Sequence, residues 1–205
     1  IFRYQDDNAD NMAEIFAAQI SFYQNLSKNI SKNFLIRPSI ANISNHEWRY
    51  KERWIDFTGG EIRFDPNGIG CFFQSLVSCR VCVIDHISTT WLEAFYCDVP
   101  VILFFDFERY FVIDEVKVLF EDLQAVGIYH PTAESAASFL NEKYETIEEW
   151  WQMPETKATA DKVRNYFYTD PSNNFTKEWT QELVALRDKN MKGKLNHKKS
   201  SMELE

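Results

Sequence analysis

The sequence predicts an α/β fold of the Rossmann-like type, in which parallel strands alternate with helices and a helical extension follows at the C-terminal end. Residues 81–84 and 101–105 are continuous apolar runs without helical periodicity, which is typical of buried strands. The segment between them carries apolar side chains at helical spacing: Trp91, Leu92, Phe95 and Tyr96. A strand, a helix and a strand in this order predict a parallel pair covered by helices.

Several polar residues follow the two strands of this unit. They are Asp85, His86, Ser88, Thr89 and Thr90 after the first strand, and Asp106 after the second. Ligands of open parallel sheets bind at the carboxyl ends of the strands, so we expect a site there. Ser88 is also a good N-cap, because its hydroxyl can accept a hydrogen bond from a free backbone N–H. Residues 88–90 therefore allow two interpretations, a ligand site or a simple helix cap.

The residues before this strand–helix–strand unit are also predicted to form helices and strands in alternation. Apolar spacing predicts helices over 11–32 and 69–79, a short apolar run predicts a strand over 34–36, and alternation of apolar and polar residues predicts one over 62–64. Arg37 ends the first of these strands, where it is a candidate for a phosphate contact. The alternative is a salt bridge to Glu47 or Asp85. Residues 46–54 mix charges with aromatics, which predicts a loop with one helical turn or a solvated charged face.

The residues after the unit continue with helices and one strand. The predicted helices cover 113–126, 133–144, 147–153, 155–168 and 174–190, and the strand covers 128–130. Gly127 fits the left-handed position that ends a helix, and Thr132 is a predicted cap. The aromatic loop 107–111 would stack a base or sugar, or pack in the core. We expect residues 1–188 to form one domain with a helical tail from about residue 145, and 189–205 to be a disordered tail or a cloning remnant.

Composition narrows the class of protein. The chain has 205 residues, 22 of them basic and 31 acidic, for a net charge of −9. Such a chain has no general attraction for nucleic acid or for an anionic membrane. It has no apolar run that could span a bilayer and no signal-peptide pattern. We therefore expect a cytoplasmic protein without a transmembrane segment or a nucleic-acid partner. Its abrupt start without Met favours a fragment of a longer protein.

The four cysteines include a CxxC pair, Cys79 and Cys82. A structural zinc site needs a second pair of ligands at suitable spacing, and the sequence has none. A thioredoxin-like motif would open a helix, whereas Cys82 lies in a predicted strand. The sequence thus predicts buried free thiols and no metal. It also lacks the glycine-rich motifs of dinucleotide-binding and P-loop proteins, so no cofactor is predicted.

One ordered set of residues resembles a known family. The pattern V-x-D-H-x-S-T-T-x-L-E-A, followed by P-V-I-L-F-x-D, is similar to the C-terminal half of bacterial O-antigen-associated, surface-polysaccharide transferases. The resemblance continues through L-Q-A-V-G-I at 123–128 and W-W at 150–151 to about Trp179. It extends more distantly to capsule Kdo transferases and CDP-glycerol glycerophosphotransferases. It implies the C-terminal-domain fold of the two-domain GT-B architecture, whose C-terminal half holds most of the nucleotide-activated donor.

The resemblance also implies roles for individual residues. The donor-binding candidates are Arg37, Asp85, His86, Ser88, Thr89, Thr90, Glu93 and Asp106. Residues 88–90 would hold the leaving phosphate, Glu93 the ribose hydroxyls, and His86 would donate to phosphate or carry a proton. The partners implied are a nucleotide-activated sugar donor, a carbohydrate acceptor and an N-terminal domain that supplies the acceptor-side base. No catalytic residue can therefore be named, and the chain alone is expected to bind donor without turnover.

Two other classes of function remain open at this point. A nucleotide-sugar epimerase of the same fold would use the same donor site, and a non-catalytic Rossmann-like interaction domain would use its helical tail to bind a partner. A Ser-His-Asp hydrolase is excluded, because Asp85, His86 and Ser88 are neighbours on one turn and cannot adopt the triad geometry. The motif that surrounds the nucleophilic serine of hydrolases is also absent.

Overall fold

The computed structural model describes residues 9–38, 49–66, 72–107, 110, 112–168 and 176–187. The chain divides into two units, Ile1–Phe167 and Tyr168–Glu205. In the second unit, residues 176–187 are helical and exposed, within the helix predicted over 174–190, and the predicted tail 189–205 lies outside the described residues. None of the described helices is both long and apolar enough to cross a membrane.

The first unit alternates strands and helices in the predicted order. Its described helices are α1 (Ala9–Asn25), α2 (Lys28–Ser31), α3 (Tyr50–Thr58), α4 (Phe72–Ser78), α5 (Thr89–Tyr96), α6 (Asp114–Ala125), α7 (Ala133–Lys143), α8 (Ile147–Trp151) and α9 (Pro154–Phe167). Its described strands are β1 (Leu35–Ile36), β2 (Arg63–Phe64), β3 (Cys82–Ile84), β4 (Val101–Phe104) and β5 (Tyr129–His130). A 3₁₀ turn, Tyr144–Thr146, joins α7 to α8.

All strand pairs among the described residues are parallel. The predicted pairing of the two apolar runs is confirmed, since β3 and β4 align Cys82 with Val101 and Ile84 with Leu103. Strand β4 lies between β3 and β5, while β1 and β2 form a separate two-stranded sheet. The described strands are two to four residues long. The fold is therefore a mostly helical α/β arrangement with two small parallel sheets, and the single Rossmann-like sheet of the prediction is not seen among the described residues.

Burial follows the position of each strand. All four residues of β4 are buried, as expected for the central strand of a covered sheet. Cys82 and Val83 of β3 are only half-buried, because among the described strands β3 has a partner on one side alone. Phe22 of α1 stacks on Phe104, with ring centroids 4.9 Å apart. These contacts place β4 at the centre of the core.

Helix α3 was not predicted at its full length. A loop with one helical turn was expected for residues 46–54, but the helix runs over Tyr50–Thr58. Tyr50 and Trp54 are buried, at 6% and 2% exposure, and share one helix face because they are four residues apart. Trp54 makes edge-to-face contacts with Phe16 and Tyr23 of α1. Aromatic partners distant in sequence supply this burial, which no local pattern reveals.

The helix predicted over residues 11–32 is interrupted after Asn25. Ser27 is in an extended conformation, with ψ at 152°, and precedes the short helix α2. The side chain of Asn141, in α7, accepts a hydrogen bond from the Ser27 N–H at 2.8 Å and donates to the Asn25 carbonyl at 2.7 Å. These two bonds satisfy backbone groups that a continuous helix would pair internally, so the break is stabilised from outside the helix.

Candidate functional site

Asp85 and His86 follow β3 directly and form an ion pair. The His86 Nδ1 atom lies 2.7 Å from Oδ1 of Asp85, and the two side chains are 33% and 20% exposed. Burial alone would lower the pKa of His86 and raise that of Asp85. The hydrogen bond and the opposite charges outweigh burial, so the pKa of His86 is raised and the pKa of Asp85 is lowered. The carboxyl end of β3 therefore carries a histidine whose protonated form is stabilised by the neighbouring carboxylate.

Two residues that the sequence did not single out support this pair. The amide Nε2 of Gln19 donates a hydrogen bond to Oδ2 of Asp85. The hydroxyl of Tyr50 donates to Oε1 of Gln19 at 2.9 Å. Burial, and then the charge of Asp85, raise the pKa of Tyr50, so its hydroxyl keeps its proton. The sequence carried one signal for this contact, because Gln19 is a polar residue within the apolar stripe of α1.

Ser88 takes the N-cap position of α5, as predicted, but not the capping bond. Its backbone is extended, with φ at −145° and ψ at 177°, and its side chain makes no capping hydrogen bond. Its Oγ atom is buried and has no hydrogen-bond partner in the described part of the chain. Buried hydroxyls are usually satisfied, so an unpartnered one at the start of a helix calls for an explanation.

The other predicted residues near this strand end differ in their surroundings. Thr89, the first residue of α5, is exposed, Thr90 is half-buried, and Glu93 is exposed one helical turn further on. Asp106 is exposed two residues beyond β4. Burial, followed by the charge of Asp106, raises the pKa of Tyr129 to about 12. Ligand-binding roles for these residues remain predictions.

Arg37 lies at the end of β1, as predicted, and is paired with a carboxylate. Its Nη1 atom is 2.7 Å from Oδ2 of Asp65 and 3.1 Å from Oγ of Ser75. Asp65 directly follows β2, and its side chain is only 6% exposed. The guanidinium also lies 5.4 Å from the ring centroid of Phe72. Arg37 thus forms a salt bridge, but with Asp65 and not with the predicted Asp85, which pairs with His86. The other predicted partner, Glu47, lies outside the described residues.

The described aromatic residues after β4 pack in the core. Phe107 contacts Phe120, with ring centroids 4.9 Å apart, and Tyr110 contacts Phe105 at 5.4 Å. These contacts favour core packing over the stacking of a base or sugar. Residues 108, 109 and 111 of the same loop lie outside the described part of the chain.

A cavity of about 480 Å³ lies beside β5, and none of the predicted donor-binding residues lines it. His130 contributes to its wall, with Nδ1 3.0 Å from Oγ of Ser135 and Nε2 3.0 Å from the Gly127 carbonyl. Burial lowers the pKa of His130, which keeps the ring neutral. Because both ring nitrogens are satisfied within the protein, this histidine has a structural role.

The cysteines form no metal site among the described residues. Cys79, Cys82 and Cys97 are free and half-buried. In the described part of the chain, no three His, Cys, Asp or Glu side chains are grouped so that they could hold a metal ion. Cys71 lies outside that part.

Comparison with known protein families assigns the chain to one class of protein. The family model of the LIC12162 family transferases matches residues 2–183. The chain therefore belongs to this transferase family. No curated protein and no solved structure matches the chain.

Proposed function

We propose that the chain is the donor-binding part of a glycosyltransferase-like enzyme of GT-B architecture in bacterial surface-polysaccharide biosynthesis. The donor is a nucleotide-activated sugar, the acceptor is a carbohydrate, and the reaction takes place in the cytoplasm. Membership in a transferase family supports this proposal. In the GT-B enzymes that the sequence resembles, an N-terminal domain supplies the acceptor-side base, so we assign donor binding alone to this chain.

The observation that carries the proposal is the unpartnered Oγ of Ser88, which lies two residues after the Asp85–His86 ion pair. When the sugar leaves, negative charge develops on the phosphate, and hydrogen-bond donors and cations stabilise that charge. The His86 imidazolium, the Ser88 hydroxyl and the free N–H groups at the start of α5 are donors of this kind. An ion pair and an unsatisfied hydroxyl at one strand end therefore fit a phosphate better than they fit an apolar ligand.

The remaining candidates complete the proposed donor site. The hydroxyls of Thr89 and Thr90 would add phosphate contacts in the first turn of α5, and Glu93 would bind the ribose hydroxyls one turn later. Arg37 and Asp106 follow β1 and β4, the other strand ends of the site. The ion pair of Arg37 with Asp65 would hold its guanidinium in place. Ligands of parallel sheets bind at this end of the strands, although β1 belongs to a different sheet from β3 and β4.

The test is a calorimetric titration of CMP-, CDP- and UDP-linked sugars against the wild type and Thr89→Ala. One charge-assisted hydrogen bond contributes roughly 1.5–3 kcal/mol, so the variant should bind the preferred donor about ten- to a hundredfold more weakly. Thr180→Ala is the matched control, because Thr180 is an exposed helical threonine whose hydroxyl bonds to the Thr176 carbonyl. This control should bind as the wild type does.

The outcomes separate the competing functions. Equal binding by the wild type and a folded Thr89→Ala variant would show that Thr89 has no phosphate role. If no nucleotide binds even the full-length protein, the interaction-domain hypothesis becomes the better one. If a nucleotide sugar does bind, product analysis with the full-length enzyme distinguishes a transferase from an epimerase. A transferase consumes the donor only with an acceptor, whereas an epimerase converts the donor alone.

A further inference from the structure

Four side chains link two helices to the strand end that carries His86. Tyr50 of α3 donates to Gln19 of α1, and Gln19 donates to Oδ2 of Asp85. The other carboxylate oxygen, Oδ1, lies 2.7 Å from Nδ1 of His86. An ionised carboxylate can only accept hydrogen bonds, so Nδ1 of His86 carries a proton. The other ring nitrogen, Nε2, has no hydrogen-bond partner among the described residues, so it is the one that a ligand could contact.

The donors and acceptors of these hydrogen bonds define how Tyr50 and Gln19 orient the Asp85 carboxylate. A glutamine amide can flip and present either oxygen or nitrogen to a neighbour. The hydroxyl of Tyr50 donates to Oε1 of Gln19, and this bond keeps Nε2 of Gln19 turned toward Asp85. Tyr50 itself is fixed by burial, at 6% exposure, and by ring contact with Phe16. The orientation of the Asp85 carboxylate is thus determined from α1 and α3.

We propose that Gln19 and Tyr50 are positioning residues, which orient Asp85 so that it holds His86 through Nδ1 and leaves the Nε2–H of the protonated ring to donate to the donor phosphate. The ligand named here rests on the proposed function, whereas the positioning does not. The titratable groups that act on His86 in the described chain are Asp85 and, through Asp85, Tyr50. Because Tyr50 keeps its proton, titration near neutral pH is confined to His86.

The test is nitrogen NMR of the imidazole rings in the full chain, at a pH above the titration of His86. The nitrogen that carries the proton in a neutral histidine is set by the hydrogen bonds of the ring. We expect His86 to be protonated mainly on Nδ1 in the wild type, and mainly on Nε2, as in water, in Gln19→Leu. Spectra of His86→Gln assign the resonance among the four histidines of the chain.

A second variant and a matched control keep the test decisive. Tyr50→Phe retains the buried ring and removes only the hydroxyl, so it should also move the proton of neutral His86 toward Nε2. This variant replaces Gln19→Leu in the test if Gln19→Leu does not fold. Gln152→Leu makes the same substitution at an exposed glutamine and should leave His86 unchanged. If His86 keeps its proton on Nδ1 in every folded variant at positions 19 and 50, the positioning role is wrong.

Donor titration separates this inference from the proposed function. At a pH below the titration of His86, Gln19→Leu should bind the CMP-, CDP- or UDP-linked sugar preferred by the wild type roughly fivefold more weakly, as expected for a misplaced hydrogen bond. An altered protonated nitrogen with unchanged donor affinity would overturn the phosphate contact at Nε2. An altered protonated nitrogen in a protein that binds no donor would support the positioning and reject the donor-binding function.

Discussion

The indole Nε1 of Trp151 donates a hydrogen bond to Oδ1 of Asp98 at 3.0 Å. The same carboxylate accepts from Nζ of Lys157 at 2.5 Å and from Nη2 of Arg164 at 2.9 Å. Asp98 follows α5 in a left-handed conformation, with φ at 56°, whereas its three partners belong to α8 and α9. The Asp98 carboxylate therefore links α8 and α9 of the helical extension to the end of α5, the helix that begins at the candidate site.

We predict that Asp98→Asn destabilises the protein by roughly 1–2 kcal/mol, because Lys157 and Arg164 lose their anionic partner. Asparagine tolerates the left-handed conformation, so the backbone adds little to this loss. Urea denaturation at neutral pH measures the change. Asp122→Asn is the matched control, since its carboxylate, which is no more exposed than that of Asp98, pairs only with Lys162 in the described chain. The control should change stability by less than about 0.5 kcal/mol, and an equal loss in both variants would contradict this role of Asp98.

Burial alone would raise the pKa of Asp98, but Lys157, Trp151 and Arg164 together lower it. A carboxyl group whose pKa is lower in the folded state stabilises the protein above its unfolded pKa, and this contribution disappears as the pH falls through the folded pKa. The stability difference between the wild type and Asp98→Asn should therefore shrink on acidification below about pH 4. A difference that is constant from neutral pH to this range would exclude an ionic contribution.

Ser88→Ala should leave folding stability unchanged, or raise it by up to about 1 kcal/mol, because the Ser88 hydroxyl is buried without a partner in the described part of the chain. Capping residues normally behave differently, and their replacement by alanine costs about 1 kcal/mol. Thr132→Ala is the comparison, since Oγ1 of Thr132 accepts a hydrogen bond from the Ser135 N–H at 3.2 Å. Thermal or urea denaturation of both variants measures the contrast. A marked destabilisation by Ser88→Ala would mean that its hydroxyl serves the fold.

The two histidines in the described part of the chain, His86 and His130, should have pKa values on opposite sides of the ordinary histidine value of 6.5. Asp85 raises the pKa of His86 above 6.5, and burial lowers the pKa of His130 below it. The stabilising charge of His86 is fully present below its unfolded pKa and is lost as the pH rises through its folded pKa. His86→Gln should therefore reduce stability more at about pH 6 than at about pH 9. NMR titration of both rings checks the order, and two coincident midpoints would contradict it.

The parts of the fold that depend on local pattern could be predicted from the sequence. The apolar runs at β3 and β4 indicated their parallel pairing, Thr132 indicated a helix cap, and Gly127 indicated a helix end, with φ at 79°. Each of these features is determined by neighbouring residues. The pairing of these two strands, the cap at Thr132 and the helix end at Gly127 follow from spacing and from side-chain chemistry, which the sequence displays directly.

The parts that depend on distant contacts could not be predicted. Helix α3 forms because aromatic residues of α1 cover Trp54, and the helix predicted over 11–32 breaks because Asn141 bonds to its backbone. The candidate site shows the same dependence on distant contacts. Asp85 and His86 are adjacent in sequence and could be predicted, whereas Gln19 and Tyr50 are far from them in sequence and could not. The partner of Arg37, Asp65, was missed for this reason too.

Gly127 offers the last prediction, because its conformation and its surroundings both exclude a side chain. Its φ of 79° favours glycine, and a Cβ atom at this position would lie 2.7 Å from Cζ of Phe139. Gly60 is the matched control, since its φ is 87° but a Cβ atom there would meet no neighbouring heavy atom within 4 Å. Gly60→Ala should destabilise by about 1 kcal/mol through the backbone alone. Gly127→Ala should destabilise by roughly 2–4 kcal/mol, since overpacking adds to the same backbone term.

The destabilisation by Gly127→Ala beyond that expected for Gly60→Ala depends on whether the ring of Phe139 can move. That ring packs against His130 and Trp150, with centroids 5.0 Å and 5.1 Å away, so its displacement disturbs two further side chains. Phe139→Leu shortens the side chain and should reduce the additional loss caused by Gly127→Ala to about the value seen at Gly60. Urea denaturation of the two single variants and the double variant measures this coupling. Additive losses would show that the backbone conformation, and not the contact with Phe139, requires glycine at this position.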